Sequence, residues 1–286
     1  MKSGSVIKPF VLSLIVMPIA FAIVLAAGGR ATADRFTDSV FAVMVLMEMV
    51  ILWRATEARK LFSPTDAGHL TWSLIVGFLF VRLLGECRLL TLTFGLVDAK
   101  ALESATAIRF FYVVALRYLY TLSDVFFIGA LINTVRSYKG TGLKFELVSR
   151  DYVYIALVWI IPIVTYFNRA NLGLASLTGA DSYIPVYRLV AVFVGAIIAT
   201  MCVAIRRYAL QMGGGAVSRV WTSVVIAGIA RDASFLALAL LSSRWPSGAK
   251  FAEQWLLWTF AGCWLIAALR QQEVLPRVPA REYAPA

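Results

Sequence analysis

The sequence predicts an all-α fold: a polytopic integral membrane bundle of eight transmembrane helices. Three observations carry that reading. Hydrophobic residues make up 60% of the 286 and charged residues only 15%, against ~45–50% and ~25% in soluble domains. A soluble domain of this size could not hide that much apolar surface. Apolar runs of about the ~17–25 residues needed to cross a bilayer recur along the whole chain. Finally, basic residues concentrate in alternate connections between those runs, as cytoplasmic loops require.

The first run, 9–29, follows Lys2 and Lys8 and contains Pro18. Its apolar stretch is longer than the ~7–15 residues of a signal peptide, so it reads as a retained helix. Ala31-Thr32-Ala33 nevertheless resembles a cleavage site, and cleavage there would leave seven spans. The second run, 38–53, is short, carries Glu48 and ends at Trp53. The third, 71–97, is long, starts beside Trp72 and holds Arg82, Glu86, Cys87 and Arg88. The fourth, 109–135, is also long and holds Arg117 and Asp124. The fifth, 152–167, is short and contains Pro162. The sixth, 184–205, has Arg188 near its start and the small-residue pair Gly195 and Ala199, which permits close helix approach. The seventh, 220–243, carries Arg231 and Asp232; the eighth, 254–270, begins with Trp255 and Trp258 at an expected interface. Turns rich in Gly, Pro and Ser fall at 62–68, 212–215 and 243–250. Residues 1–270 thus read as one transmembrane domain, and 271–286 as a short tail that Pro276, Pro279 and Pro285 keep extended.

With the N-terminus inside, 15 of the 27 basic residues fall in inner segments, seven in outer loops and five within spans. That bias predicts a bacterial inner-membrane protein with both termini cytoplasmic. The acids divide evenly between the two sides. The net charge of +11 is therefore mostly a topology signal and not a nucleic-acid footprint.

Ionisable side chains in a span cost roughly 2.5–3.5 kcal/mol each on insertion scales, so they face protein or water and have partners. Glu48, Arg82, Glu86, Arg117, Asp124, Arg231 and Asp232 form the candidate polar site on this ground. Arg82 and Glu86 are one turn apart and can pair within their helix. Arg117 and Asp124 share a face but lie some 10 Å apart, so each reaches more readily to a neighbouring helix. Arg231 and Asp232 diverge by ~100°, which favours separate partners. Glu48 has no partner in its own helix; it can pair with Arg82, Arg117 or Arg231, or stay protonated. Tyr120, Ser123 and Ser234 stand ready to complete hydrogen bonds. The first, fifth and eighth spans carry no charge. This places spans two, three, four and seven inside the bundle, with one, five and eight against lipid or a partner.

The remaining composition excludes much chemistry. One histidine, His69, and three cysteines inside apolar runs leave no haem, copper or di-iron ligand set. No lysine sits deep in a span, so a retinal Schiff base is excluded. No phosphate loop, zinc-protease motif or nucleophile elbow appears, and no cofactor, metal site or catalytic residue is assigned. The expected function is a non-enzymatic carrier or channel subunit for a small polar solute. The arginine surplus in the spans suits an anionic one. The alternatives are a structural or assembly subunit of a larger membrane complex and, third, a membrane enzyme acting on a lipid-linked substrate. The expected partners are the bilayer and either another membrane protein or a second copy of this chain.

Overall fold

The computed structural model describes residues 3–96, 118–140, 146–170, 183–211, 215–241 and 244–274, with the side chains of 161–192, 235–236 and 238–240 outside that description. Among the described residues there are seven helices and no strand: α1 (Ser3–Arg59), α2 (Ala67–Thr93), α3 (Tyr118–Lys139), α4 (Ser149–Ala170), α5 (Tyr183–Gln211), α6 (Ala216–Leu241) and α7 (Pro246–Val274).

The first two predicted spans are one helical element, α1, interrupted at Gly29 with φ 70° and ψ −174°. That backbone region is essentially reserved for glycine. The contacts of α1 with α7 show that the chain reverses there. Along residues 3–28, Ser3 donates to Glu273 (2.6 and 2.7 Å), Trp258 Nε1 to Ser13 (2.9 Å) and Trp255 Nε1 to the Leu14 carbonyl (3.0 Å), while Phe21 stacks on Phe251. Along residues 30–59 the order is opposite. Asp38 pairs with Lys250 (2.7 Å), and the Arg54 carbonyl accepts from Gln272 (2.9 Å). The two legs are therefore antiparallel, closed by Gly29 at one end and flanking α7. Each leg, at ~1.5 Å per residue, exceeds the ~30 Å hydrocarbon core. The polar stretch expected to separate the spans is itself helical. There Thr32, Thr37 and Ser39 turn their hydroxyls back to carbonyls one turn earlier, which satisfies them within the helix. Pro18 leaves its helix unbroken, since Gly29 alone departs from helical dihedrals.

Three segments among the described residues, Ser3–Arg59, Tyr118–Lys139 and Phe193–Gln211, are long and apolar enough to cross a bilayer. That is consistent with a membrane-embedded helical bundle, but length and hydropathy do not support a count of eight.

The helices pack as a chain of neighbours, with α7 between α1 and α6, α2 between α1 and α3, and α5 between α3, α4 and α6. Close approaches occur at particular glycines. The Phe10 ring occupies the place where a Cβ on Gly262 would sit. The Tyr120 ring lies 3.0 Å from the corresponding position on Gly85. Asn133 on α3 donates to Thr71 and to the Ala67 carbonyl on α2, both at 2.8 Å. At mid-depth Phe78 (α2), Phe127 (α3), Phe260 and Trp264 (α7) form an aromatic layer. Phe78 and Phe127 stack at 4.8 Å, and Trp264 lies 5.4 Å from Phe127 and 5.6 Å from Phe78.

One expectation is overturned. The eighth span is not peripheral: Phe260 to Leu269 of α7 are all buried. It lacks charge because it packs between apolar faces of α1 and α6, so absence of charge there reports a dry core. The first span and the described part of the fifth, 152–160, do present exposed apolar faces. Leu12, Ile15, Val16, Ile19 and Ile23 of α1 are exposed, as are Tyr152, Val153, Leu157 and Ile160 of α4.

Candidate functional site: two acid–arginine–acid clusters

Arg82, Asp124 and Arg231 each lie about four turns in from Ala67, Lys139 and Ala216, roughly 22 Å at 1.5 Å per residue. Helix length alone therefore brings them to one level, immediately beyond the aromatic layer. Two clusters form there.

In the first, Arg82 Nε donates to Glu48 on α1 at 3.2 Å and its NH2 to Glu86, one turn along α2, at 2.8 Å. All three side chains are about 3–4% exposed. Tyr120 of α3 hydrogen bonds to Glu86, which is possible because Gly85 leaves room for its ring. Beneath, the guanidinium carbon stands 4.5 Å from the centre of the Phe260 ring, a cation–π geometry. Glu48 Oε1 is thus engaged, while Oε2 is buried with no hydrogen-bond partner among the described residues.

In the second, Arg231 of α6 hydrogen bonds to Asp124 of α3, and its NH1 lies 4.0 Å from Asp232 Oδ1. Neither oxygen of Asp232 has a hydrogen-bond partner among the described residues. Gly195 of α5 faces this carboxylate: a Cβ there would come within 3.2 Å of Oδ1. The clusters are neighbours, since the charge of Arg82 also bears on Asp124. Each places one guanidinium between two carboxylates. Such groups, if left without partners in a low-dielectric interior, carry large desolvation penalties.

Six of the seven site residues read from the sequence therefore meet in this layer. Arg117 lies outside the described residues, as does the side chain of Arg188. Arg88 is buried, two residues beyond Glu86 and so about 200° round the helix from it. Ser123 and Ser234 donate to their own helices at Tyr120 and Arg231 carbonyls and do not complete the network. Phe260 and Glu253 were missed. Glu253, on α7, is close enough to Glu86 and Arg82 for their charges to bear on it. It falls one residue before the predicted span, and no local pattern connects it to residues so far away in sequence.

A separate ionic clamp holds α4 against α5. Asp151 accepts from the Val148 amide at 3.0 Å, the reach-back of a capping box. It also hydrogen bonds to Arg207 and lies 3.8 Å from Arg206. Burial opposes its ionisation, but the Arg207 and Val148 hydrogen bonds and both arginine charges outweigh it, so its carboxyl is held below the usual range. A lowered folded-state pKa stabilises above the unfolded value of ~3.9, and that stability is lost as pH falls through the folded pKa. Thermal stability should thus decline in acid below about pH 4. Asp151→Asn should cost on the order of 1 kcal/mol at neutral pH, since half-exposed Arg206 is screened, and should flatten the acid limb of a melting-temperature series.

Among the described residues no group of three His, Cys, Asp or Glu side chains could hold a metal ion. A cleft of about 380 Å³ opens at the opposite end of the bundle, lined by residues including Ser3, Arg219, Arg270 and Glu273. Comparison with known proteins leaves the site to be read from its own chemistry, because no family, curated protein or solved structure matches this chain.

Proposed function

We propose that this chain is a multi-pass carrier for a small polar solute in the bacterial inner membrane. It crosses eight times, with both termini cytoplasmic, and the acid–arginine–acid layer is its working part. The two legs of α1 and the six following helices offer eight helical passes, although only three segments among the described residues are long and apolar enough by themselves to cross. The basic bias supports the orientation. The observation that carries the functional reading is the Asp232 carboxylate, without a hydrogen-bond partner among the described residues, beside a paired arginine at mid-depth. An intramembrane acid without a full set of partners is the usual mark of an ion or substrate path. Arginines in the layer contact the solute, and carboxylates hold the arginines or bind the coupled proton.

The test is proton movement in proteoliposomes containing a trapped pH-sensitive dye. A panel of amino acids, organic acids, sugars and inorganic anions is added in turn. At least one class should drive proton movement with the wild-type protein, and Asp232→Asn should abolish it. No movement with any class contradicts the carrier reading.

A second reading, an assembly subunit, is favoured by the direct pairing of Arg82 with two acids and by the exposed apolar faces of α1 and α4. It predicts a stoichiometric membrane-protein partner or second copy after mild solubilisation.

A further inference from the structure

We infer that the Glu48–Arg82–Glu86 cluster holds one exchangeable proton on Glu48, and that this proton site is the coupling site of the carrier; the coupling role rests on the function proposed above, the proton site does not.

Glu48 and Glu86 share the single guanidinium of Arg82 in a space where all three side chains are almost fully excluded from solvent. With both acids ionised the cluster carries a net negative charge, a state costing several kcal/mol per uncompensated ion in such surroundings. The hydrogen bonds decide which acid takes the proton. Glu86 receives Arg82 NH2 at 2.8 Å and is also bonded by Tyr120, so its ionised form is well supported. Glu48 receives only Arg82 Nε, at the longer distance of 3.2 Å, and its Oε2 has no partner among the described residues. An unpartnered neutral carboxyl oxygen costs far less than an unpartnered charge.

Among the described residues, the other groups facing the cluster do not supply the missing positive charge. From α3 there are Tyr120, which is neutral, and Asp124, which Arg231 already holds. From α7 there are the Phe260 ring and Glu253, on which the charges of Glu86, Arg82 and Lys250 bear, Lys250 being itself paired with Asp38. On α2 itself Cys87 is uncharged, and Arg88 projects from a different face. A metal cation is a poorer occupant. Calcium and magnesium need about six or more oxygen ligands, whereas Glu48 Oε2 has no hydrogen-bonding neighbour among the described residues. A proton needs no further ligand. The exchange is simple: the Glu48 carboxyl gives its proton to water and becomes a carboxylate, which Arg82 then holds.

Infrared spectroscopy of the full protein in lipid nanodiscs tests this directly. At neutral pH the wild type should show a protonated-carboxyl carbonyl band that shifts in deuterium oxide. Glu48→Gln should lose one carboxyl equivalent of it. Glu86→Gln should lose the same band, because Glu48 and Arg82 then form a neutral pair and the proton leaves. An unchanged band in both variants, each verified as folded by its melting curve, overturns the proton site. If the band is lost in Glu48→Gln but solute-driven proton movement continues at the wild-type rate, the coupling role is overturned. Absence of transport by the wild type overturns the carrier reading and leaves the band assignment standing.

Discussion

Arg82→Met is expected to be among the most destabilising single substitutions in this protein. It removes the shared partner of two carboxyl groups that are about 3% exposed, one of them ionised. Breaking a buried pair in this way costs about 3–5 kcal/mol, most of it from the charge left behind. The origin of the loss is separable. In the triple variant Glu48→Gln, Arg82→Met, Glu86→Gln no charge remains, so most of the stability should return. Acidification, which neutralises the remaining carboxylate, should partly rescue the single variant. Melting curves of the three proteins in one lipid composition measure this. A single variant as stable as the wild type, or a triple variant less stable than the single, contradicts the network.

Trp264→Ala should produce the next largest loss. The side chain is fully buried, joins α7 to α2 and α3 through Phe78 and Phe127, and meets Phe260 of its own helix edge-on. Large aromatic truncations in cores cost about 3–5 kcal/mol. The low end, about 3 kcal/mol, is expected here because lipid solvates the separated helices and removes much of the transfer contribution. Trp264→Phe should cost roughly 1 kcal/mol: it leaves a smaller void and removes an indole N–H that has no partner among the described residues. Equal losses in the two variants would argue against a packing role. Because this layer lies directly under Arg82, Trp264→Ala should also weaken any function that depends on Arg82.

The helical segments were legible because apolar runs near membrane-spanning length recur along the chain. The join at Gly29 was not. Hydropathy sees Arg30, Asp34, Arg35 and Asp38 as a loop, whereas these residues are helical and glycine supplies the whole reversal. The charged layer was legible as a set, since membrane cost singles out every ionisable residue in a span. Its pairing was only partly so. Arg82 with Glu86 follows from one-turn spacing, but Arg82 with Glu48 and Arg231 with Asp124 join residues far apart in sequence. Helix lengths bring them to one level, and helix order decides which face each other. The misplacement of the eighth span has the same origin. An uncharged helix suits lipid and a packed core equally, and the close seat of Phe10 on Gly262 decides between them.

The claim on which the account turns is that the charged layer meets water during function. Cysteine accessibility measures it, in a background lacking Cys87, Cys202 and Cys263. Ser123 and Ser234 adjoin the two clusters and are each 1% exposed, whereas Ile19 faces outward from α1. A membrane-impermeant thiol reagent is predicted to label Ser123→Cys and Ser234→Cys from at least one side of the membrane, and to leave Ile19→Cys unreacted. If neither cluster position reacts from either side, with or without the solute panel and a pH gradient, the layer is a sealed scaffold and the carrier account is wrong.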